Sequence, residues 1–143
     1  MLAIGESVDR YHIEAVLGTG GTAVVYRVRH EQLGTRHALK VLSVTSDVIR
    51  ERMLREGRVQ ATIRHLNVVA VTDVLEIDGQ PGLLMEYIEG PPLDEAIRKY
   101  RINPWAGETL FKGVVAGVLM ANKHELVQRD LKPANVLLAR TPD

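Results

Sequence analysis

The sequence predicts an α+β fold, in which an antiparallel sheet of five strands carries one inserted helix and is followed by a mainly helical segment. Three observations lead there. Alternating, β-branched runs flank a glycine cluster near the start of the chain. A charged run with helical spacing interrupts the strands. The breaker Glu89-Gly90-Pro91-Pro92 then divides strand-forming from helix-forming sequence. The chain has 143 residues, which suits one domain and lets about two-thirds of the surface be buried on folding.

Tyr11 to Leu17 alternates as a strand and runs into Gly18-Thr19-Gly20-Gly21-Thr22-Ala23, after which Val24 to Val28 begins a second strand at once. A dinucleotide-binding turn would need a helix at that point, because the helix N-terminus holds the pyrophosphate. Here the glycines sit at a hairpin tip, where their backbone N–H groups can approach phosphates closely. On its own such a cluster serves equally well as a plain hairpin turn. A third strand, Arg36 to Leu42, places Ala38, Lys40 and Leu42 on one face and Leu39 and Val41 on the other.

Asp47 to Arg64 reads as a charged helix capped by Ser46 or Asp47. Ile49, Met53, Val59 and Ile63 fall on one side of it, and Glu56 lies in the middle of that stripe. An inward carboxylate needs a cation, and Lys40 is the candidate. Val68 to Ile77 and Pro81 to Ile88 complete the strands around a tight turn at Asp78-Gly79-Gln80. Past the breaker come a short helix, Leu93 to Tyr100, and a longer one opened by Asn103 as cap and Pro104 in its first turn. The longer helix has no charge between Lys112 and Lys123 and carries a broad apolar stripe from Leu110 to Leu119. A helix with so little polar surface expects protein on most sides, and few residues follow it. The chain therefore reads as incomplete.

Lys and Arg together number 18, as do Asp and Glu, so no net field points to nucleic acid or an anionic membrane. There is no cysteine, which removes disulfides and thiolate chemistry and suits the cytoplasm. Leu110 to Ala121 is too short to span a bilayer. Met1 to Arg10 carries Glu6 and Asp9 with no basic start, unlike a signal peptide.

Near the end, Gln128-Arg129-Asp130-Leu131-Lys132-Pro133-Ala134-Asn135 crowds an acid, two cations and an amide between apolar runs. Pro133 forbids a regular strand and favours a turn. Asp130, Lys132 and Asn135 side by side suit a site where a phosphate and a metal ion meet a hydroxyl.

Taken together, the glycine hairpin, strand lysine, helix glutamate, breaker, apolar helix and acid-lysine-asparagine loop resemble the eukaryotic-type (Hanks-type) Ser/Thr protein kinase family, and most closely its bacterial members. The resemblance runs along the whole chain but covers only the first half or so of such a domain. It implies a protein kinase-like fold with a small nucleotide-binding lobe over 1–88, and a linker and start of the large lobe over 89–143. It implies ATP and Mg2+ as cofactors and a protein Ser/Thr hydroxyl as acceptor. Gly18, Thr19, Gly20, Gly21, Thr22 and Ala23 would cover the phosphates, and Lys40, steadied by Glu56, would hold the α- and β-phosphates. Leu17, Val25 and Ala38 would roof the adenine pocket, with Met85 its back wall and Leu137 its floor. The backbone of Glu86 and Ile88 would meet the adenine edge. Asp130 would accept the hydroxyl proton, Lys132 would stabilise the transferring phosphoryl group, and Asn135 would bind magnesium.

Four departures qualify the match. Ala23 replaces the third loop glycine, Leu66 replaces a proline after His65, and Gln128 stands where the family has His. No Asp-Phe-Gly follows before Asp143. The expectation is a kinase-family chain with little phosphotransfer of its own. The alternatives are a non-catalytic, pseudokinase-like nucleotide-binding module, and a gene fragment without function. The Leu110–Leu119 helix is the expected surface for association.

Overall fold

A computed structural model describes residues 1–99, 104–124 and 137. The strands are β1 (Ser7–Val8), β2 (Tyr11–Thr19), β3 (Ala23–His30), β4 (Arg36–Leu42), β5 (Val71–Ile77) and β6 (Gln80–Glu86), with α1 (Asp47–Gln60) between β4 and β5. They form one six-stranded sheet in the order β1-β2-β3-β4-β6-β5, antiparallel at every step. The expected five strands are all present, and the sixth is the two-residue β1. It exists because Asp9 adopts a left-handed φ of 53° and turns the chain so that Val8 pairs with Tyr11. The β5–β6 turn follows the same logic, with Asp78 and Gly79 at φ 51° and 79° between the paired Ile77 and Gln80.

Strand alternation gives the sheet two faces. On the core face Tyr11, Ile13, Val24, Tyr26, Val28, Leu39, Val41, Leu75, Ile77 and Leu84 form one buried cluster, with Leu2 and Val8 packed against it. The opposite face is divided. At one end Leu42, Val71 and Leu83 pack on Met53 of α1, with Ile49 and Met85 partly buried beside them.

Ser46 caps α1 in an extended conformation, its side chain accepting from the Ile49 N–H at 3.4 Å. The expected stripe contributes Met53 to the core, but the helix ends at Gln60 rather than Arg64. The Thr62 hydroxyl donates to the Val59 carbonyl at 2.7 Å, and the Thr62 N–H uses the same acceptor at 3.0 Å. This local capture of a carbonyl tightens and stops the last turn. Gly57 explains how closely α1 lies on the sheet, since a Cβ there would sit 2.7 Å from Leu83 Cδ2.

The fold comprises two compact units. The first takes Met1–Thr62 with Ala70–Tyr87, and the second takes Ile63–Val69 with Ile88 onward. The second holds α2 (Leu93–Lys99) and α3 (Pro104–Lys123). Segment 63–69 belongs with α3 because two helical glycines admit it. A Cβ on Gly117 would lie 2.5 Å from the Asn67 carbonyl oxygen, and one on Gly113 would lie 3.0 Å from the Asn67 amide nitrogen. On the same helix Phe111, Val115 and Leu119 are exposed, at i, i+4 and i+8 of the expected apolar stripe. None of the described helices is long and apolar enough to cross a membrane. The expected cap Asn103 and the loop from Gln128 to Asn135 lie outside the described residues.

Candidate functional site

The glycine cluster forms the tip of the β2–β3 hairpin, as its sequence implies. Gly18 pairs with Val25 and Thr19 with Val24, and the tip is closed by a bond from the Gly20 N–H to the Ala23 carbonyl at 2.9 Å. The fold itself makes little demand for glycine here. None of the three has a left-handed φ, a Cβ on Gly18 or Gly21 would meet nothing within 4 Å, and one on Gly20 would meet only the Ala23 oxygen at 3.5 Å. Three residues without side chains at an open tip leave backbone N–H groups approachable by a bulky anion.

The next strand supplies the cation. β4 pairs with β3 and β6 in a register that sets Val25, Lys40 and Leu83 in one row and Arg27, Ala38 and Met85 in the next. These rows lie on the face opposite the large core cluster. Thus Val25, Ala38, Lys40 and Met85 share one surface. Leu17, at the glycine end of β2, is exposed. Glu86 is tied twice to Ala70, its N–H donating to the Ala70 carbonyl at 2.9 Å and its carboxylate accepting the Ala70 N–H at 3.0 Å. Only its carbonyl is left to meet an adenine edge.

Lys40 and Glu56 are both half-buried in the first unit. The ion pair expected between them is not formed, for among the described residues no contact within 4.0 Å joins the two charges. α1 is pressed to the sheet through Met53 and Gly57, and that contact does not depend on Glu56.

The remaining expected residues fall elsewhere. Ile88 and Leu137 belong to the second unit, where Leu137 makes a single bridge to Pro92 and is 44% exposed. Asp130, Lys132 and Asn135 lie outside the described residues. Among the described residues no group of acidic or histidine side chains is arranged to hold a metal ion.

Sequence reasoning passed over one cluster on the site face. The Glu14 carboxylate accepts from Arg27 Nε at 3.3 Å and from Arg36 Nε at 3.2 Å. A hydrogen bond with Tyr87 and then the charge of Glu14 push the Arg27 guanidinium above its usual range, against the opposing effect of burial. The signal was present as charged residues at alternate strand positions, where a fully packed face would be apolar.

Comparison with known proteins agrees with this architecture. The family model described as "Protein kinase domain" matches residues 11–143. The serine/threonine-protein kinase PknH of Mycobacterium bovis is 30% identical over 141 residues, covering 96% of this chain and 24% of the relative. The probable serine/threonine-protein kinase PknB of Lactococcus lactis is 34% identical over 147 residues, covering 97% of this chain and 23% of the relative. Among solved structures, the Mycobacterium tuberculosis PknI kinase domain superposes with a TM-score of 0.76 at 34% identity, covering 97% of this chain and 58% of that one. The chain thus spans about a quarter of the length of these curated relatives.

Proposed function

Because the chain belongs to the protein kinase domain family, we propose that the protein is a serine/threonine kinase transferring the γ-phosphoryl group of ATP to protein hydroxyls. Protein kinases use ATP and typically Mg2+. The observation that carries the reading is the hairpin whose glycines the fold itself does not require, set beside Lys40 on one sheet face. ATP supplies the phosphoryl group. The glycine-rich tip from Gly18 to Ala23 covers its phosphates, Lys40 neutralises the α- and β-phosphates, and Val25, Ala38, Met85 and Leu17 exclude water around the adenine. Glu86, Ile88 and Leu137 complete the base-binding edge and floor, and Glu56 is the reserve partner of Lys40. Asp130 takes the proton from the substrate hydroxyl, Lys132 steadies the charge on the moving phosphoryl group, and Asn135 serves the metal. In this reading residues 1–88 are the nucleotide-binding lobe and 89–143 the linker and first part of the catalytic lobe. The ATP requirement supports a cytoplasmic location, and the exposed Phe111, Val115 and Leu119 support association through that helix.

A second reading is a nucleotide-binding regulatory module without catalysis, favoured by the absence of a Lys40–Glu56 ion pair. One substitution separates them. Asp130→Asn removes the base while leaving every sheet residue in place. Labelling of a Ser/Thr protein substrate from γ-labelled ATP by the whole protein is expected to fall by about 100-fold or more, within the range of general-base catalysis. Labelling that persists unchanged rules out the assigned base. No labelling by the wild type, together with thermal stabilisation by Mg-ATP, selects the regulatory reading.

A further inference from the structure

The site face does not end at the adenine roof. From the row of Ala38 onward it carries three arginines in neighbouring positions. Arg27 and Arg29 are two apart on β3, and Arg36 of β4 is the register partner of Arg29. At strand and sheet spacings their backbones lie within about 8 Å of one another. Like charges so close repel unless something is built to hold them. Glu14 does part of that work. It stands at the β-bulge between Ile13 and Ala15, its side chain is only 14% exposed, and one oxygen takes the Nε of both Arg27 and Arg36.

The arrangement is unbalanced. Three guanidinium groups less one carboxylate leave two positive charges. Arg36 meets Glu14 through Nε alone, so its two terminal nitrogens have no protein acceptor among the described residues. Arg29 has no carboxylate within 4.0 Å among those residues either. A guanidinium fixed through Nε has lost much of its rotamer freedom and can offer its other edge as a fork. Beside the cluster lies a cavity of about 430 Å³ lined by His12, Arg29, Glu31, Gln32, Leu33 and Gly34. Glu31, exposed on its rim, is the acidic group there.

We propose that Arg27, Arg29 and Arg36, anchored by Glu14, bind a phosphate monoester dianion carried on a polypeptide, that is, a phosphorylated serine or threonine side chain. The charge left over matches the roughly −2 of such a group near neutral pH. The forks match its oxygens, and the adjoining cavity holds flanking residues of the peptide. The site is displaced from the Lys40 row: Arg27 is level with Ala38, and Arg29 and Arg36 lie past it in the direction away from Lys40.

The test is fluorescence anisotropy of a labelled phosphoserine peptide on the full chain, with the unphosphorylated peptide and inorganic phosphate as competitors. The expected result is binding at least about 10-fold tighter than to the serine form, as charge-assisted hydrogen bonds to a dianion require. Arg36→Lys and Arg29→Lys keep the charge and lose the fork, so each is expected to weaken binding about 5- to 10-fold. Unfolding midpoints for both variants should match the wild type, because Arg36 is half-exposed and Arg29 exposed. Lys40→Met should leave peptide binding unchanged. Equal affinity for the two peptides, or lysine variants that bind as well as arginine, would overturn the site. Loss of peptide binding in Lys40→Met would overturn it by moving the phosphate to the nucleotide cradle. Inorganic phosphate competing as well as the phosphopeptide would overturn the polypeptide assignment.

Discussion

Along β4, His37, Leu39 and Val41 turn to one face of the sheet, and Arg36, Ala38 and Lys40 turn to the other. In the first set Leu39 is 0% exposed and Val41 9%, in a cluster fed by four other strands, and His37 is half-buried. In the second set Arg36 is exposed, Lys40 half-buried and Ala38 buried, and at the far end of this face Leu42 and Leu83 find Met53. On the proposed function one strand carries stability and chemistry at alternate positions, and each substitution along it should report on one and leave the other. Charge on the site face is tolerable because water or a ligand reaches it, whereas the same residues on the core face would be buried unpaired.

The largest effect expected is on the core face. Leu39→Ala removes a fully buried side chain that touches both hairpins, and should lower the unfolding free energy by about 2–5 kcal/mol. Urea titration measures it, and the nucleotide-induced shift should survive wherever the variant is still folded. A loss below about 1 kcal/mol would mean that this face is not the main core.

Lys40→Met addresses the other face. Lys40 makes no ion pair within 4.0 Å among the described residues, so the ligand-free midpoint should change little. Saturating Mg-ATP should stabilise the wild type by about 3 kcal/mol at a hundredfold excess over Kd, and this gain should vanish in the variant. A variant that keeps the gain would show that the lysine does not touch the phosphates. One that is destabilised without ligand would show that the lysine holds the fold.

Two helical glycines extend the comparison to close packing. Replacing either by Ala gains about 1 kcal/mol of helix propensity. At Gly57 the obstructing atoms are the methyl ends of Leu83, which can rotate, so Gly57→Ala should stay within about 1 kcal/mol of the wild type. At Gly117 the obstruction is a backbone oxygen of Asn67, which cannot move aside, and Gly117→Ala should lose about 1–3 kcal/mol. Thermal unfolding of the pair checks the contrast, and equal changes would mean that the nature of the obstructing atom does not matter.

Much of this was legible in the sequence and some was not, for identifiable reasons. β4 runs over Arg36–Leu42 as its alternation demands, because period-two patterning is a local signal. The glycine hairpin was legible because β-branched residues resume at once after it. The end of α1 is not legible in the periodicity, because the capture of the Val59 carbonyl by Thr62 competes with a helical pattern that continues through Ile63. Three tertiary features left only weak traces. Glu14 reaches Arg36 across 22 positions of sequence, Gly117 is small because Asn67 lies against it, and Lys40 stays apart from Glu56. Each depends on where another segment lands, which hydrophobic period does not encode.

The smallest effect concerns protons on the core face. His37 lies edge-on to Tyr11 with ring centroids 5.6 Å apart, and its Nε2 is 2.9 Å from the Thr35 hydroxyl. Glu86 is its register partner on β6, and His30, which accepts the Gln32 and Leu33 N–H groups through Nδ1, lies near. Burial, and then the charge of His30, hold the His37 imidazole below its ordinary value of 6.5. The unfolded chain therefore binds the proton more readily than the fold does. The stability associated with neutral His37 is fully present above 6.5 and is lost as pH falls through the lowered folded value. In urea titrations from pH 7.5 down to about 5.5, spanning the ordinary range of histidine, the wild type should weaken more steeply than His37→Gln, which has no proton to gain. Lys40→Met, on the opposite face of the same strand, should follow the wild-type slope. Parallel wild-type and His37→Gln curves would show that the acid sensitivity of this face arises elsewhere.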